Sequence, residues 1–374
     1  MTPFASFTYF GVALYPTLPA IAEGFVGRRS SRQAVLVAAI LGMTLFQYAG
    51  EIWIVAGFAA IEWAVAVGLL QSREQGRRWP LWISVGASLA PLVAAKLGSP
   101  LEFLGISYVT FRTLDVVFGI HDGVITRLPP TRYLAYLFFF PTVSAGPIDR
   151  FRRFERDWNA ERDRGAFLED LDQAVQRIVR GFYYKFLLAA LIEKHWLAPA
   201  ESAEGMLGML SYTYAYSLYL FFDFAGYSAF AVGISYLFGI RTPENFDQPF
   251  RARNIRDFWN RWHVSLSAWF RDHVYTRFVL AAAKRRWFTD LRTASRLGFV
   301  LAMGLMGLWH GLARHYVAYG LYHGALLVGH DAFTQWNAEQ RLWGDGWLWN
   351  AAAIFVTFHF VAFGFLIFSG HLFV

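Results

Sequence analysis

The 374-residue chain has no cysteine. That excludes disulfide staples, thiolate metal ligands and an acyl intermediate carried on a thiol of the protein itself. Charge is scarce too: Asp, Glu, Lys and Arg make up 16% of the residues, against roughly 25% in ordinary soluble domains. So little polar side chain cannot clothe the two or three soluble globules that the length alone would suggest. Lysine is nearly missing, with 4 residues against 30 arginines, and 34 basic minus 27 acidic residues leaves a net charge of only +7. An excess that small, falling mostly between apolar runs, argues against nucleic acid as a partner. The same composition excludes intrinsic disorder, a coiled coil and a secreted disulfide scaffold.

What fills the chain instead is apolar. Hydrophobic residues reach 56%, with 37 Phe, 18 Tyr and 15 Trp, and mean hydropathy is +0.33. These values predict an all-α polytopic membrane protein, a single integral domain over 1–374 with N-terminal helices in 1–100 and a core in 101–374. Runs near the ~20 residues that span a bilayer fall at 4–25, 34–50, 52–70, 80–97, 101–120, 133–148, 181–197, 206–222, 224–240, 297–313, 316–330 and 347–368. Several are short, so about 8–11 true spans are expected, the rest being re-entrant or interfacial. No Lys or Arg precedes the first run and no small-residue cleavage site follows it, so it reads as a membrane helix and not a cleaved signal. Arg28, Arg29 and Arg32 follow the first run and Arg73, Arg77 and Arg78 the third, while the turn after the second carries only Glu51. The positive-inside rule then predicts a multi-pass protein of the cell membrane with its N-terminus outside.

Segment 133–148 has arginines at both ends (Arg127 and Arg132 before it, Arg150, Arg152 and Arg153 after it), and Pro141 and Ser144-Ala145-Gly146-Pro147 interrupt it. Both flanks want the same side, so 133–149 is expected to be re-entrant, its irregular backbone buried in protein. Asp149 and Arg150 are expected to pair where that turn meets the surface. In 150–180, Phe167, Leu171, Val175, Ile178 and Phe182 share one helical face and predict an amphipathic surface helix. Segment 241–296 holds 12 Lys/Arg against 5 Asp/Glu and is placed on the cytoplasmic side, its aromatic residues dipping into the protein. Gly-Ile-Ser-Tyr occurs at 105–108 and 233–236, and Gly-Leu-Xaa-His-Gly at 307–311 and 320–324. Chance and helix-packing glycines account for these better than duplication.

The ten histidines are the candidates for chemistry, since imidazole titrates near neutrality and ionisable groups inside a membrane are functional candidates by default. His310 lies between Gly307 and Gly311 in an apolar run. Counting from Arg296 at 1.5 Å per residue puts it about 21 Å from the inner surface. His263 sits in Phe258–Ser267, with Asn260 and Ser267 as its i−3 and i+4 neighbours if the segment is one helix. His323, His330 and Asp331 match no closed tetrahedral spacing, so no metal is expected. Neither Gly-Ile-Ser-Tyr copy completes a nucleophile elbow, and no phosphate-binding glycine loop is present. Asp115 and Asp223 are the acids read inside apolar runs.

Five blocks carry a resemblance: Gly146–Phe154, Phe221–Ser228, Arg241–Phe246, Phe258–Ser267 and Met306–Gly311. With them the chain resembles the membrane-bound O-acyltransferase (MBOAT) family, and stretches 101–123, 141–154 and 221–250 look like its DltB-type, D-alanyl-transferring branch. The resemblance implies many helices around a central tunnel. An acyl thioester on the phosphopantetheine of an acidic carrier protein would enter from the cytoplasm, and a hydroxyl acceptor would arrive from outside. No cofactor would be bound by the protein itself, and a DltD-like partner is expected on the outer face. By motif position His310 matches the catalytic histidine and His263 the second active-site histidine. Asn260, Trp262, Ser265 and Trp309 are expected along the tunnel, and Arg277 and Val279 in the carrier-docking region. The implied activity is D-alanyl transfer of the teichoic-acid type. An exopolysaccharide O-acetyltransferase and a non-catalytic transporter or scaffold are the alternatives.

Overall fold

The computed structural model describes residues 3–4, 7–26, 29–75, 81–344 and 346–373. Arg28, Arg77 and Arg78, which enter the orientation argument, lie outside them. Among the described residues the only β pairing is one antiparallel bridge, Phe246 with Trp262; the rest is helix and connection. The chain divides into two units, Met1–Gly181 with Tyr227–Pro243, and Phe182–Gly226 with Glu244–Val374.

The first unit contains α1 (Phe7–Val26), α2 (Arg29–Gln47), α3 (Ile52–Glu74), α4 (Leu81–Lys96), α5 (Ile106–His121), α6 (Pro130–Leu137), α7 (Phe151–Asn159) and α8 (Arg164–Gly181). Between α6 and α7 the backbone is irregular apart from a 3-10 turn at Phe140–Thr142, and its carbonyls need donors because the segment is buried. Arg112 of α5 provides them. Its fully buried guanidinium donates to the carbonyls of Tyr136 (2.9 Å), Leu137 (2.8 Å) and Thr142 (2.7 Å). Gly105 lets α5 approach: its φ is +82°, and a Cβ there would lie 2.3 Å from the Val143 oxygen.

Three expectations change in this unit. Asp149 pairs with Arg153 (2.7 Å), while Arg150 reaches Asp115 of α5 (2.8 Å); the longer partners win because Asp115 also accepts the Phe151 N–H (3.0 Å) and so caps α7. The amphipathic stretch is two helices, broken where Arg162 turns inward to donate to the carbonyls of Tyr236 and Leu237. On α8 the buried face is Phe167, Asp170, Ala174 and Gly181, and Val175 is 51% exposed. Asp170 takes the inner position because Arg162 (3.0 Å) and Arg241 (2.9 Å) both pair with it. A further acid, Glu62 of α3, went unread in the sequence; it is buried and accepts a 2.6 Å bond from Ser88 of α4, the kind of polar contact that ties membrane helices together.

The second unit begins with π-helical turns at Phe182–Ala189 and Glu193–Leu197 alternating with the short α9 (Ala190–Ile192) and α10 (Ala198–Glu201). Then follow α11 (Gly205–Leu237), α12 (Ile255–Trp259), α13 (Val264–Phe270), a π turn at Arg271–Tyr275, α14 (Thr276–Arg285), α15 (Leu291–His310), α16 (Arg314–Gln340) and α17 (Trp347–Ser369). The two spans expected at 206–222 and 224–240 are one 33-residue helix. It contains no proline, and an isolated glycine such as Gly226 costs a helix only about 1 kcal/mol. Its residues to Gly226 belong to the second unit and those from Tyr227 to the first. Lys185 and Asp223 form an ion pair in the second unit.

Helices α3, α11, α15 and α17 are each long and apolar enough to cross a bilayer, and Ser31–Gln47 and Leu81–Lys96 are shorter apolar helices. The protein is thus an all-α polytopic membrane protein. Helices α15 and α16 meet backbone to backbone. A Cβ on Gly307 would lie 2.4 Å from the Tyr316 oxygen, and one on Gly320 2.5 Å from the Met303 oxygen. Such contact admits only glycine. The recurring Gly-Leu-Xaa-His-Gly is therefore a packing seam, with its two first glycines facing each other.

Candidate active site

His263 does not sit within a helix. Helix α12 starts at Asn254, whose side chain accepts the Asp257 N–H (2.8 Å), and ends at Asn260. The chain then reverses at His263, which has left-handed backbone (φ 44°, ψ 50°) before α13 begins. Histidine tolerates that region better than most side chains do, yet the conformation persists only where its surroundings hold it. Here residues 245–247 run beside 261–265. The Val264 N–H donates to the Asn245 carbonyl (3.0 Å), the Asp247 N–H to the Arg261 carbonyl (2.9 Å), and the Ser265 hydroxyl to Asn245 Oδ1 (2.6 Å). The bridge of Phe246 and Trp262 completes the clamp.

The His263 ring is 4% exposed, meets Phe224 edge to face at 4.7 Å, and its Nε2 has no hydrogen-bond partner in the protein. Burial, and secondarily the nearby His310, pushes this imidazole down to about 3. It is neutral at physiological pH.

His310 is the last residue of α15. Its half-buried ring packs against Trp309 (4.6 Å), Phe368 (4.9 Å) and Tyr319 (6.2 Å). A helix of 20 residues is about 30 Å long, so the imidazole stands at the far end of a span-length helix. Gly311 must stay small, since a Cβ there would fall 2.5 Å from the Tyr316 ring.

The other predicted residues separate. Asn260 and Ser267 do not share a helical face with His263, because the helix breaks there. Both instead line a cavity of about 580 Å³, with Trp259, Phe270, Arg271 and Tyr275 among the remaining walls. Trp262 and Ser265 are buried supports: Trp262 packs on Phe246 (5.0 Å) and Phe365 (4.7 Å), and Ser265 is held by Asn245. Trp309 flanks His310. Arg277 and Val279 are half-buried on α14; a Val279 methyl lies 3.3 Å from where a Gly298 Cβ would be, so it faces α15. Leu280 is the outward residue, 63% exposed.

Sequence reasoning missed Asn245, Phe224 and Tyr319. It treated His323 only as part of a possible metal face. His323 is fully buried beside Trp259 (5.1 Å) and Tyr319 (4.6 Å). Asp331 turns instead to Arg296 (2.9 Å), and among the described residues no three His, Cys, Asp or Glu side chains gather as a metal site. The second Gly-Leu-Xaa-His-Gly was the available signal for His323, since it sets this histidine on the helix facing His310.

An imidazole held neutral, as His263 is, and one set among aromatic rings, as His310 is, are each of a type suited to proton transfer to and from a hydroxyl. Residues 110–370 match the MBOAT, membrane-bound O-acyltransferase family. The chain belongs to this family. It is therefore an O-acyltransferase. It is 40% identical to the teichoic acid D-alanyltransferase of Bacillus subtilis (strain 168), over 99% of this chain and 98% of that one. Against the teichoic acid D-alanyltransferase of Streptococcus thermophilus the identity is 36%, over 98% and 94%. Identity to a probable alginate O-acetylase of Pseudomonas fluorescens is 34%, over 65% of this chain and 47% of that protein.

Proposed function

We propose that this acyltransferase moves a D-alanyl group from a phosphopantetheine thioester on a cytoplasmic carrier protein to a hydroxyl of a teichoic-acid-type acceptor outside the cell membrane. The supporting observation is the end-to-end similarity to two teichoic acid D-alanyltransferases, whereas the likeness to alginate O-acetylase leaves about a third of this chain uncovered.

In this reading His310 is the general base. It takes the acceptor hydroxyl's proton as that oxygen attacks the thioester carbonyl, a contribution of about 10²–10⁴-fold. The tetrahedral intermediate then collapses: the C–S bond breaks, the ester C–O bond stays, and the imidazolium returns the proton to the pantetheine thiolate. His263, neutral because of its burial, orients the acyl carbonyl or donates to its developing negative charge. The cavity beside Asn260, Ser267 and Arg271 is where the pantetheine arm would lie. The carrier would dock on the basic 241–296 segment, where opposite charge speeds encounter. Leu280→Asp should then weaken carrier binding with the fold intact, while Val279→Asp, set against Gly298, should lower the melting temperature as well.

The test is transfer by the purified, liposome-reconstituted protein from carrier loaded with radiolabelled D-alanine to a glycerophosphate polymer. Alkali-labile label on the polymer, absent with His310→Ala, supports the reading. Acetyl transfer without D-alanyl transfer would replace it with the exopolysaccharide O-acetyltransferase, and turnover of neither donor would overturn the assignment of the acyl group.

A further inference from the structure

The second unit has a polar pocket of about 540 Å³ lined by Gln248, Arg251, Arg253, Asp257, Arg261 and Ile354, with neither histidine in its wall. Its only carboxylate is spent. Asp257 Oδ1 accepts from Arg261 Nε (2.7 Å) and Oδ2 from the Arg253 backbone N–H (3.0 Å). Among the described residues, two guanidiniums are left without a counter-charge. Arg251 meets only the neutral Gln248 side chain (2.8 Å), and Arg253 pairs with no acid among the described residues. The loop presenting them is fixed: Gln248 has left-handed backbone (φ 47°), and Phe250 packs edge to face on Phe358 of α17 at 5.4 Å.

The remaining wall identifies the occupant. Ile354 belongs to the spanning helix α17, about 10 Å along from its first residue, Trp347. Exposed Trp347 and Trp349 mark the membrane surface there, as interfacial aromatics do. Beside Ile354 on α17, Phe355 is apolar and exposed. A ligand with a phosphate in the arginine pocket and an acyl chain along α17 satisfies both halves at once. Guanidinium pairs bind phosphate oxygens bidentately, and basic pockets beside spanning helices hold anionic headgroups. We infer that this pocket is a binding site for an anionic phospholipid, which seats its phosphodiester between Arg251 and Arg253. The argument does not rest on the acyl-transfer reading, although Arg251 and Arg253 belong to the basic 241–296 segment on which that reading docks the carrier.

The experiment is a melting-temperature titration of the detergent-purified protein with dioctanoyl phosphatidylglycerol, dioctanoyl phosphatidylcholine and inorganic phosphate. Phosphatidylglycerol should stabilise saturably, and phosphatidylcholine should need about tenfold more lipid, because its choline cation sits beside the phosphodiester and repels the same guanidiniums. Arg251→Gln/Arg253→Gln should erase that difference while melting normally without lipid. Should this pair fail to fold, the single Arg253→Gln carries the same comparison. Equal response to both lipids overturns the site, and so does an equal response to inorganic phosphate, which would make it a free-anion site. If the double variant loses carrier affinity but keeps its lipid preference, the pocket reads the phosphate of the pantetheine arm and the lipid assignment falls.

Discussion

His310 ends a span-length helix whose neighbour touches it backbone to backbone at Gly307 and Gly320. His263 stands in a break between two short helices, held by hydrogen bonds from residues 245–247. One histidine is placed by removing side chains, the other by adding them. The first arrangement has no adjustable part: any Cβ in the seam strikes a carbonyl oxygen. The second is built from separable bonds, and each can be removed singly. Rigid placement by contact should fail abruptly, and placement by a bonded clamp should fail by degrees.

The largest effect should come from His310→Ala, which in single-turnover assays should reduce acyl transfer about 10²–10⁴-fold without changing insertion or melting. Wild-type turnover by that variant would remove His310 from the chemistry. Gly307→Ala should come next. The added methyl meets the Tyr316 oxygen at 2.4 Å, so we expect about 1–3 kcal/mol of destabilisation and loss of most activity; an unchanged melting curve would show that the seam yields. Asn245→Ala should act more gently, losing about 1 kcal/mol and lowering kcat more than KM, with Ser265→Ala milder still. If Asn245→Ala is as inactive as His310→Ala, the graded picture is wrong.

At neutral pH, where activity is read, the pH dependence has the least effect. His263 in the folded protein titrates near 3, and in the unfolded chain near the ordinary ~6.5. Folding keeps it neutral, so its stabilising contribution is complete above about pH 6.5 and declines as pH falls from there toward 3. His263→Asn, which still tolerates left-handed backbone, should flatten that part of the stability curve. Melting temperatures of the two proteins that run parallel from pH 7 to pH 4 would contradict the burial of a neutral imidazole.

Much of this was legible in the sequence, for stated reasons. Composition alone excludes a soluble fold. The residues around both histidines form contiguous blocks, so local pattern suffices to find them. What escaped depends on distant partners. That His263 interrupts a helix is decided by Asn245, some eighteen residues earlier, and hydropathy carries no record of it. Asp149 prefers Arg153 because Arg150 is taken by Asp115 in another helix, a competition that adjacency in sequence cannot reveal. Val175 reads as inward by periodicity, but Asp170 takes the inner face to reach two arginines.

The glycine seam also bears on how the enzyme meets membranes of different thickness. A helix longer or shorter than the local hydrocarbon layer adjusts by tilting, and helices joined through flexible side chains can tilt separately. Where α15 and α16 touch, there is no side chain to slide over. The pair must lean as one piece, carrying His310 with Tyr316 and Tyr319 of the partner helix. Changing bilayer thickness should therefore reorient this half of the site without pulling it apart.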